Sequence, residues 1–316
     1  MFNKKIDFMK TFKPAVIIYA AVLAVSIIIT LFVGVKLDIN FSGGTRISYS
    51  YEGEISTDKV TEAVKTVTSV PVTVSESTSI AGDTKTLTLS FAGKNSIDAE
   101  IQQKITSKLA TDFKSNAPSL YDSTSISATI ASSFFIKTLV AVLLAAALVV
   151  VYVGIRFRKI GGVSAAITAF VALIIDVLVA FFTCTVFGLP IDSNFMAVVL
   201  TILGYSLNDT IVIYDRVRES RRLEPNADLA DLVNDSVNSV MKRTVITTVT
   251  TLLAVFTIVV VSEFFGLSSL RSFAIPMGFG LVSGCTSSLF ISTPLWVIWK
   301  KHSKNPKKVN NLIFNS

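Results

Sequence analysis

The chain has 316 residues, of which 51% are hydrophobic and only 16% are charged, and its formal net charge is +7. This composition is typical of membrane proteins and excludes an ordinary soluble globular protein. Both cysteines, Cys184 and Cys285, fall within apolar runs, which excludes a disulfide framework for a domain outside the membrane.

Six apolar segments are long enough to cross a bilayer, which takes about 18 apolar residues. In chain order they are Ala15–Val35, Phe134–Ile155, Ile160–Phe187, Phe195–Tyr214, Thr244–Val261 and Ser272–Trp299. The first segment is too long for a cleaved signal peptide and lacks a small-residue cleavage site. We therefore expect six spans, with the first one kept as an anchor.

The segments that connect the spans differ in charge. Lys and Arg cluster before the first span, in the second-to-third and fourth-to-fifth loops, and after the last span, whereas loops 188–194 and 262–271 together hold one basic residue, Arg271. The positive-inside rule then predicts that both termini lie in the cytoplasm. The main cytoplasmic segments are residues 1–14, 215–242 and 300–316. Nucleic-acid binding is the rival interpretation of basic runs, and we reject it because these runs lie at span ends.

Residues 36–133, named here the outer domain, have the composition of a soluble domain and are predicted to lie outside the cytoplasm. The predicted elements are strand Thr45–Tyr51, a helix from Ser56, strands Pro71–Thr78 and Thr84–Phe91 joined by a turn at 80–83, helix Ser96–Phe113 and strand Ser123–Ile130. This β-α-β-β-α-β order predicts a ferredoxin-like α+β fold. Because the segment shows no metal-ligand cluster, catalytic spacing or phosphate-binding loop, we predict a docking or substrate-contact domain without metal or cofactor.

The cytoplasmic connection 215–242 contains an amphipathic pattern. After Pro225, apolar residues recur at helical spacing, at Leu229, Leu232, Val233, Val237 and Val240. We expect this segment to lie along the inner membrane face or against the bundle.

An acidic residue in the fourth span gives the strongest functional signal. Asn208 and Asp209 lie inside an apolar run, and a carboxylate in hydrocarbon costs a few kcal/mol unless it is neutralised or paired. Arg243 opens the fifth span at a depth from which its side chain could reach Asp209. The residues that follow it share one helix face and suit a bundle interior or a hydrated path: Thr244, Thr247, Thr248 and Thr251.

The functional interpretation of this pair is a proton site, at which Asp209 loads a proton from one side and releases it to the other. The structural interpretation is an ion pair that only fixes the helix register, or an Arg243 that extends to the membrane interface. We adopt the proton pathway as the hypothesis, with Asn208, Thr247 and Thr248 as further members.

Two other features lie inside spans. Asp176, in the middle of the third span, is a second acid with no partner evident in the sequence, and we include it in the predicted proton pathway. In the last span Gly280, Gly284 and Ser288 place a small residue at every fourth position, which predicts close helix packing rather than chemistry.

Three motifs are shared with a known family. Residues 37–45 resemble its motif of an aspartate followed by a glycine pair, residues 204–219 resemble its fourth-span signature, and residues 236–248 resemble the start of its fifth span. By these motifs the chain resembles the SecF family, the smaller membrane subunit of the bacterial SecD–SecF protein-export complex, and the resemblance covers most of the chain.

The resemblance implies a fold of the resistance-nodulation-division (RND) superfamily in the bacterial cytoplasmic membrane, with six spans that pair with six spans of SecD. It further implies that inward proton flow drives movements of the outer domain. These movements would pull a secreted chain from the SecYEG channel after the SecA motor has pushed it. Asp209 and Arg243 would be the proton-pathway residues, the protein would not be an enzyme, and we expect SecD to pack on the small-residue face of Gly280, Gly284 and Ser288.

Three other function classes stay open. A half-size RND exporter of lipids or drugs is the main alternative, although such exporters usually carry larger outer portions. An intramembrane aspartyl protease would use Asp176 and Asp209 as a dyad, but Leu207-Asn208 stands where those proteases have a Gly-x-Gly. A passive scaffold of the translocon needs no titrating aspartate.

Overall fold

The structure is a computed structural model that describes residues 5–78, 85–93 and 97–304. The turn expected at 80–83 and most of the basic tail expected at 300–316 lie outside the described residues. The first long helix is followed by the outer part of the chain, in which the described residues form four strands and three α-helices. In chain order these elements are α1 (Phe8–Val33), α2 (Ile39–Ser42), β1 (Gly44–Tyr51), α3 (Thr57–Lys65), β2 (Thr73–Thr78), β3 (Lys85–Ala92), α4 (Ala99–Asp112) and β4 (Ser119–Ile126).

The second half of the chain is helical. It contains α5 (Ala128–Arg156), α6 (Gly162–Val186), α7 (Ser193–Leu223), α8 (Leu229–Phe264), α9 (Ser268–Ser287), a π-helical segment (Ser288–Ser292) and α10 (Thr293–Lys304). Together with α1, these helices provide six that are long and apolar enough to cross a membrane, the last of which joins α9, the π-helical segment and α10. The predicted number of spans is confirmed.

Capping residues set where two of these helices begin. α1 starts before its apolar segment because the side chain of Asp7 accepts a hydrogen bond from Lys10 N. Ser127 caps α5 in the same way, with Ile130 N as the donor. The predicted strand Ser123–Ile130 is therefore displaced, because β4 ends at Ile126 and the next residues already belong to the helix.

The amphipathic segment after Pro225 is the first part of α8, which continues into the fifth span as a single helix. Asp228 caps it, and the hydrogen bond from Ala230 N is the main reason that the pKa of Asp228 is lowered. Leu232 and Val237 are buried in one core cluster with Phe8 of α1. The expected packing of this segment against the bundle is therefore observed.

The four strands form one antiparallel sheet in the order β2-β3-β1-β4. Ile47 on β1 lies opposite Leu89 on β3, and alternate residues of both strands point to the face that α3 and α4 cover. Val60 of α3 and Ile105 of α4 are fully buried in this core. The predicted order of strands and helices is therefore present, with short helices added at α2 and at Lys114–Asn116.

Main-chain contacts tie the outer domain to the helical bundle. Leu37 forms a parallel bridge with Ile191 in the loop between α6 and α7, where Ile191 N donates to Lys36 O at 2.8 Å. The glycine pair that follows, Gly43-Gly44, allows the start of β1 to lie close to β3. A Cβ at Gly44, whose φ is +128°, would lie 2.0 Å from Phe91 O. The loop between α6 and α7 is therefore hydrogen-bonded to the segment that leads into the sheet.

Candidate functional site

Asp209 lies on the inner side of α7 among buried polar residues. Its side chain is 2% exposed, and Ser206 and Thr210 beside it are equally buried. Within the described residues, its Oδ2 atom has no hydrogen-bond partner. A buried carboxylate oxygen without a donor costs free energy, and such atoms in native proteins mark bound water or a functional site.

Arg243 faces Asp209 from α8 without bonding to it. The two charges are close enough to interact electrostatically, yet the ion pairs found in the described ranges do not join them. Arg243 is exposed instead to a cleft of about 920 Å³ that Lys159 and Arg216 also line. The two helices thus bring the residues together, as their positions in the spans predict, and leave the ion pair open.

The other residues assigned to this pathway divide between the interior and the exterior of the bundle. Thr248 is buried, and its hydroxyl donates to Thr244 O of its own helix. Asn208 and Thr247 are exposed, so they do not line the interior of this chain. Thr247 is exposed although its spacing places it on the same helix face as Thr248, whereas Thr251 reaches Tyr205 Oη of α7 at 3.3 Å.

Asp176 has partners that the sequence did not reveal. Its fully buried carboxylate accepts hydrogen bonds from three serines. Ser206 Oγ of α7 lies 2.7 Å from Oδ2, Ser287 Oγ of α9 lies 3.0 Å from the same oxygen, and Ser283 Oγ lies 2.6 Å from Oδ1. Ser206 also lies three residues before Asp209 on α7. The signal that could have found this site is the i, i+4 spacing of Ser283 and Ser287, which sets two hydroxyls on one helix face.

The small residues of the last span pack inside the chain. A Cβ at Gly280 would lie 2.2 Å from Ile202 Cδ1, and a Cβ at Gly284 would lie 3.0 Å from Ser206 Cβ, so both glycines let α9 approach α7 closely. Ser288 is fully buried and bonds Thr210 of α7 at 3.0 Å. Helix packing is thus the role of all three residues, but the expectation that SecD covers this face is wrong, because α7 already covers it.

A second group of buried hydroxyls lies beyond Ser288, nearer the ends of α6 and α10. Tyr214 Oη is 3.1 Å from Ser292 Oγ and 2.9 Å from Thr168 Oγ1. Ser164 lies one turn before Thr168 on α6, and its hydroxyl accepts a hydrogen bond from Trp296 Nε1 at 3.1 Å. Across the described ranges, no group of three or more His, Cys, Asp or Glu side chains is arranged to hold a metal ion.

Residues 105–302 match the family model described as protein export membrane protein SecD/SecF, C-terminal. The chain is also 32% identical over 308 residues to the protein translocase subunit SecF of Borreliella burgdorferi, with 95% of this chain and 99% of that protein covered. The chain belongs to the SecD/SecF family. The resemblance that three motifs indicated is confirmed.

Two further similar proteins are longer than this chain. It is 33% identical over 302 residues to the translocase subunit SecDF of Bacillus subtilis, covering 94% of this chain but only 38% of SecDF. The crystal structure of SecDF from Thermus superposes with a TM-score of 0.78 at 24% identity, over 95% of this chain and 39% of that chain. The likeness shows that this SecD/SecF family member has the fold of part of SecDF.

Proposed function

We propose that this protein uses proton flow, together with SecD, to promote the late stage of protein export across the bacterial cytoplasmic membrane. A role in export is consistent with its SecF relatives, which are named protein translocase subunits. The observation that carries the proton-driven step is the open pair of Asp209 and Arg243, where a buried carboxylate oxygen has no donor and a cation stands nearby in a cleft.

The geometry supports a simple cycle. A charged Asp209 attracts Arg243 and favours closure of α8 onto α7, whereas protonation removes that attraction and favours the open arrangement. Because α7 begins just after the loop that is bridged to Leu37, a shift of α7 is transmitted to the outer domain. This coupling would convert proton binding into movement of the domain that contacts secreted chains.

SecD is the partner that this proposal requires. The helices α1, α5 and α8 present large apolar side chains on their outer faces, such as Phe32, Leu143 and Leu253. Six further spans of SecD would cover part of these faces, in keeping with a SecDF relative in which the matching segment forms 38% of one chain. The SecYEG translocon and unfolded secretory chains are the further partners we propose.

The proposal also assigns the topology and the class of the outer domain. Both termini lie in the cytoplasm and the outer domain lies outside it, because Lys and Arg are concentrated at one set of span ends. We assign the outer domain to the ferredoxin-like class. The β-α-β-β-α-β order and the antiparallel strand order β2-β3-β1-β4 support this assignment.

Replacing Asp209 by Asn tests the proton step. Asp209→Asn keeps the size of the side chain and its hydrogen bonding but cannot take up a proton, so proton-dependent export by the SecD-containing complex should collapse while the complex still assembles. Asp235→Asn is the matched control, because Asp235 is an exposed carboxylate on α8 that pairs only with Lys5 in the described residues. Full export by Asp209→Asn would leave the pair as a structural contact and would exclude this mechanism.

A further inference from the structure

Asp176, which the sequence predicts as a member of the proton pathway, takes no part in the proposed cycle of Asp209 and Arg243. It lies on α6, it is fully buried, and its two oxygens accept three serine hydroxyls from α7 and α9. The groups that interact with it electrostatically are Tyr19 of α1 and Cys285 of α9. Cys285 also interacts with Asp209, so the two acids flank the same stretch of α9.

The hydrogen bonds of this site are suited to a carboxylate that gains and loses a proton. A charged Asp176 accepts all three hydroxyls, whereas a protonated one must donate from one oxygen, and one serine must turn away. Ser287 has an acceptor ready for that turn, because its Oγ lies 3.3 Å from Gly284 O of its own helix. Both protonation states therefore keep their hydrogen bonds satisfied.

Buried hydroxyls continue from this site toward the inner ends of the helices. Ser288 follows Ser287 and bonds Thr210, and one turn further Ser292 bonds Tyr214, which bonds Thr168. Thr168 lies two turns before Asp176 on α6, about 12 Å along the helix. Thr168, Ser288 and Ser292 are all fully buried, and Tyr214 is too.

The backbone is irregular where these hydroxyls meet. Residues Ser288–Ser292 form a π-helical segment between α9 and α10. π-Helical segments are rare in proteins, and those that occur are often found at functional sites. Here Thr293 Oγ1 donates to Ser288 O at 2.9 Å, which satisfies a carbonyl at the irregular turn, while Ser288 and Ser292 both project toward α7. A carboxylate that only held helices together would need the three serines but not a file of hydroxyls leading away from them.

We propose that Asp176 is a second proton-binding site and that the file through Ser287, Ser288, Thr210, Ser292, Tyr214 and Thr168 relays protons between it and the inner end of the bundle. Hydrogen bonds in the described residues join Asp176 to Ser287, Ser288 to Thr210, and Tyr214 to both Ser292 and Thr168. Water molecules would bridge Ser287 to Ser288 and Thr210 to Ser292, and each group would then accept a proton from one neighbour and pass its own proton to the next, so that no charge remains on the file. This inference rests on the proposed function, since it concerns the same proton flow.

The test is proton flux through the SecD-containing complex reconstituted in liposomes that hold a pH-sensitive dye. Asp176→Asn should abolish the flux, and Tyr214→Phe, which removes only the hydroxyl from the file, should lower it several-fold. Thr201→Ala is the matched control, because the exposed hydroxyl of Thr201 on α7 donates only to Ala197 O in the described structure. It should leave the flux unchanged.

Infrared difference spectra between acid and neutral pH provide a readout that a structural role would not move. Asp176→Asn should remove one protonated-carboxyl band, and Ser287→Ala should shift that band because Ser287 bonds the titrating oxygen. If Asp176→Asn does not assemble with SecD, the proton flux of Tyr214→Phe and the protonated-carboxyl band of Ser287→Ala test the relay instead. Normal flux in Tyr214→Phe with an unshifted band in Ser287→Ala would overturn the relay.

The same measurements separate this inference from the proposed function. Flux that is lost in Asp209→Asn but normal in Asp176→Asn would exclude the second site and keep the proton-driven cycle. Flux that persists in Asp209→Asn would exclude the cycle itself.

Discussion

The bundle contains two buried aspartates that differ in their hydrogen bonding. Asp176 accepts three hydroxyl hydrogen bonds, whereas in the described residues Asp209 has an oxygen without a donor and faces Arg243 without forming an ion pair. The first carboxylate lies between three helices that pack closely. The second lies beside α8, whose arginine is exposed to a cleft.

This difference indicates different mechanical roles. A carboxyl group with all its hydrogen bonds made holds the helices around it, since moving α6, α7 or α9 breaks one of those bonds. An unsatisfied carboxylate opposite a cation attracts that cation when it is charged, and protonation removes the attraction. The close contact of α7 with α9 and the unpaired Asp209 and Arg243 together predict that protonation changes the position of α7 relative to α8.

Removing the cation from the open site should have the largest effect. Arg243→Ala leaves Asp209 without the charge that closes α8, so we expect export to fail as completely as in Asp209→Asn. The double variant should be no worse than either single variant, because both changes act on one interaction. Export assays of the three variants, with co-purification of SecD, measure this coupling.

The control for Arg243→Ala is Arg216→Ala, which removes another arginine of the same cleft that pairs with Glu219. Export should continue in this variant. Additive losses in the double variant would show that Asp209 and Arg243 act separately, and the cycle of closure and opening would then be wrong.

The two sites also differ in how far the sequence could predict them. Asp209 and Arg243 were found because a charge inside an apolar run is conspicuous, and because their depths follow from the position of each span. The serines of Asp176 were missed since a serine in a span is unremarkable by itself, and the three meet only through the rotation of α6, α7 and α9. Residue spacing gives the face of a helix but not which neighbour that face meets.

The same limit explains the outcomes for the fold. Six spans could be predicted because bilayer thickness sets a minimum apolar length. Their ends could not, because α8 continues as a helix through a polar region as far as its cap at Asp228. The small residues at 280, 284 and 288 lie in a close helix contact, as their spacing predicts. The spacing could not predict that the helix they contact is α7 of the same chain.

Filling the close contact should weaken the satisfied site. Gly280→Leu places a side chain where Ile202 Cδ1 already lies, so we expect a loss of about 1–3 kcal/mol in stability from overpacking. Thermal unfolding followed by a thiol-reactive dye measures it, because Cys184 and Cys285 are buried until the bundle opens. Gly204→Leu on α7 is the matched control, since a Cβ there meets nothing within 4 Å. Equal unfolding temperatures for the two variants would contradict the tight α7–α9 contact.

A solvent-exposed carboxylate should show the smallest effect and supplies a reference for both buried ones. Asp228 caps α8 through Ala230 N at 2.9 Å and bonds Lys301 at 3.2 Å. Asp228→Ala should loosen the first turn of α8 by about 1 kcal/mol, whereas Asp228→Asn keeps the cap and should cost less. Amide hydrogen exchange at the start of α8 measures both.

The pH dependence of that cap has a definite sign. Because the pKa of Asp228 is lowered in the folded protein, chiefly by the Ala230 N–H, its stabilisation is fully present above the ordinary value of about 4. It is lost as the pH falls through the lowered value, when the carboxylate is protonated in both folded and unfolded chains. Exchange at the start of α8 should therefore become faster in acid for the natural protein, relative to the intrinsic rate, and should stay constant for Asp228→Asn. An equal response of the two proteins to acid would show that the side chain of Asp228 caps α8 by its shape alone. The charge of Asp228 would then not contribute to the stability of the first turn of α8.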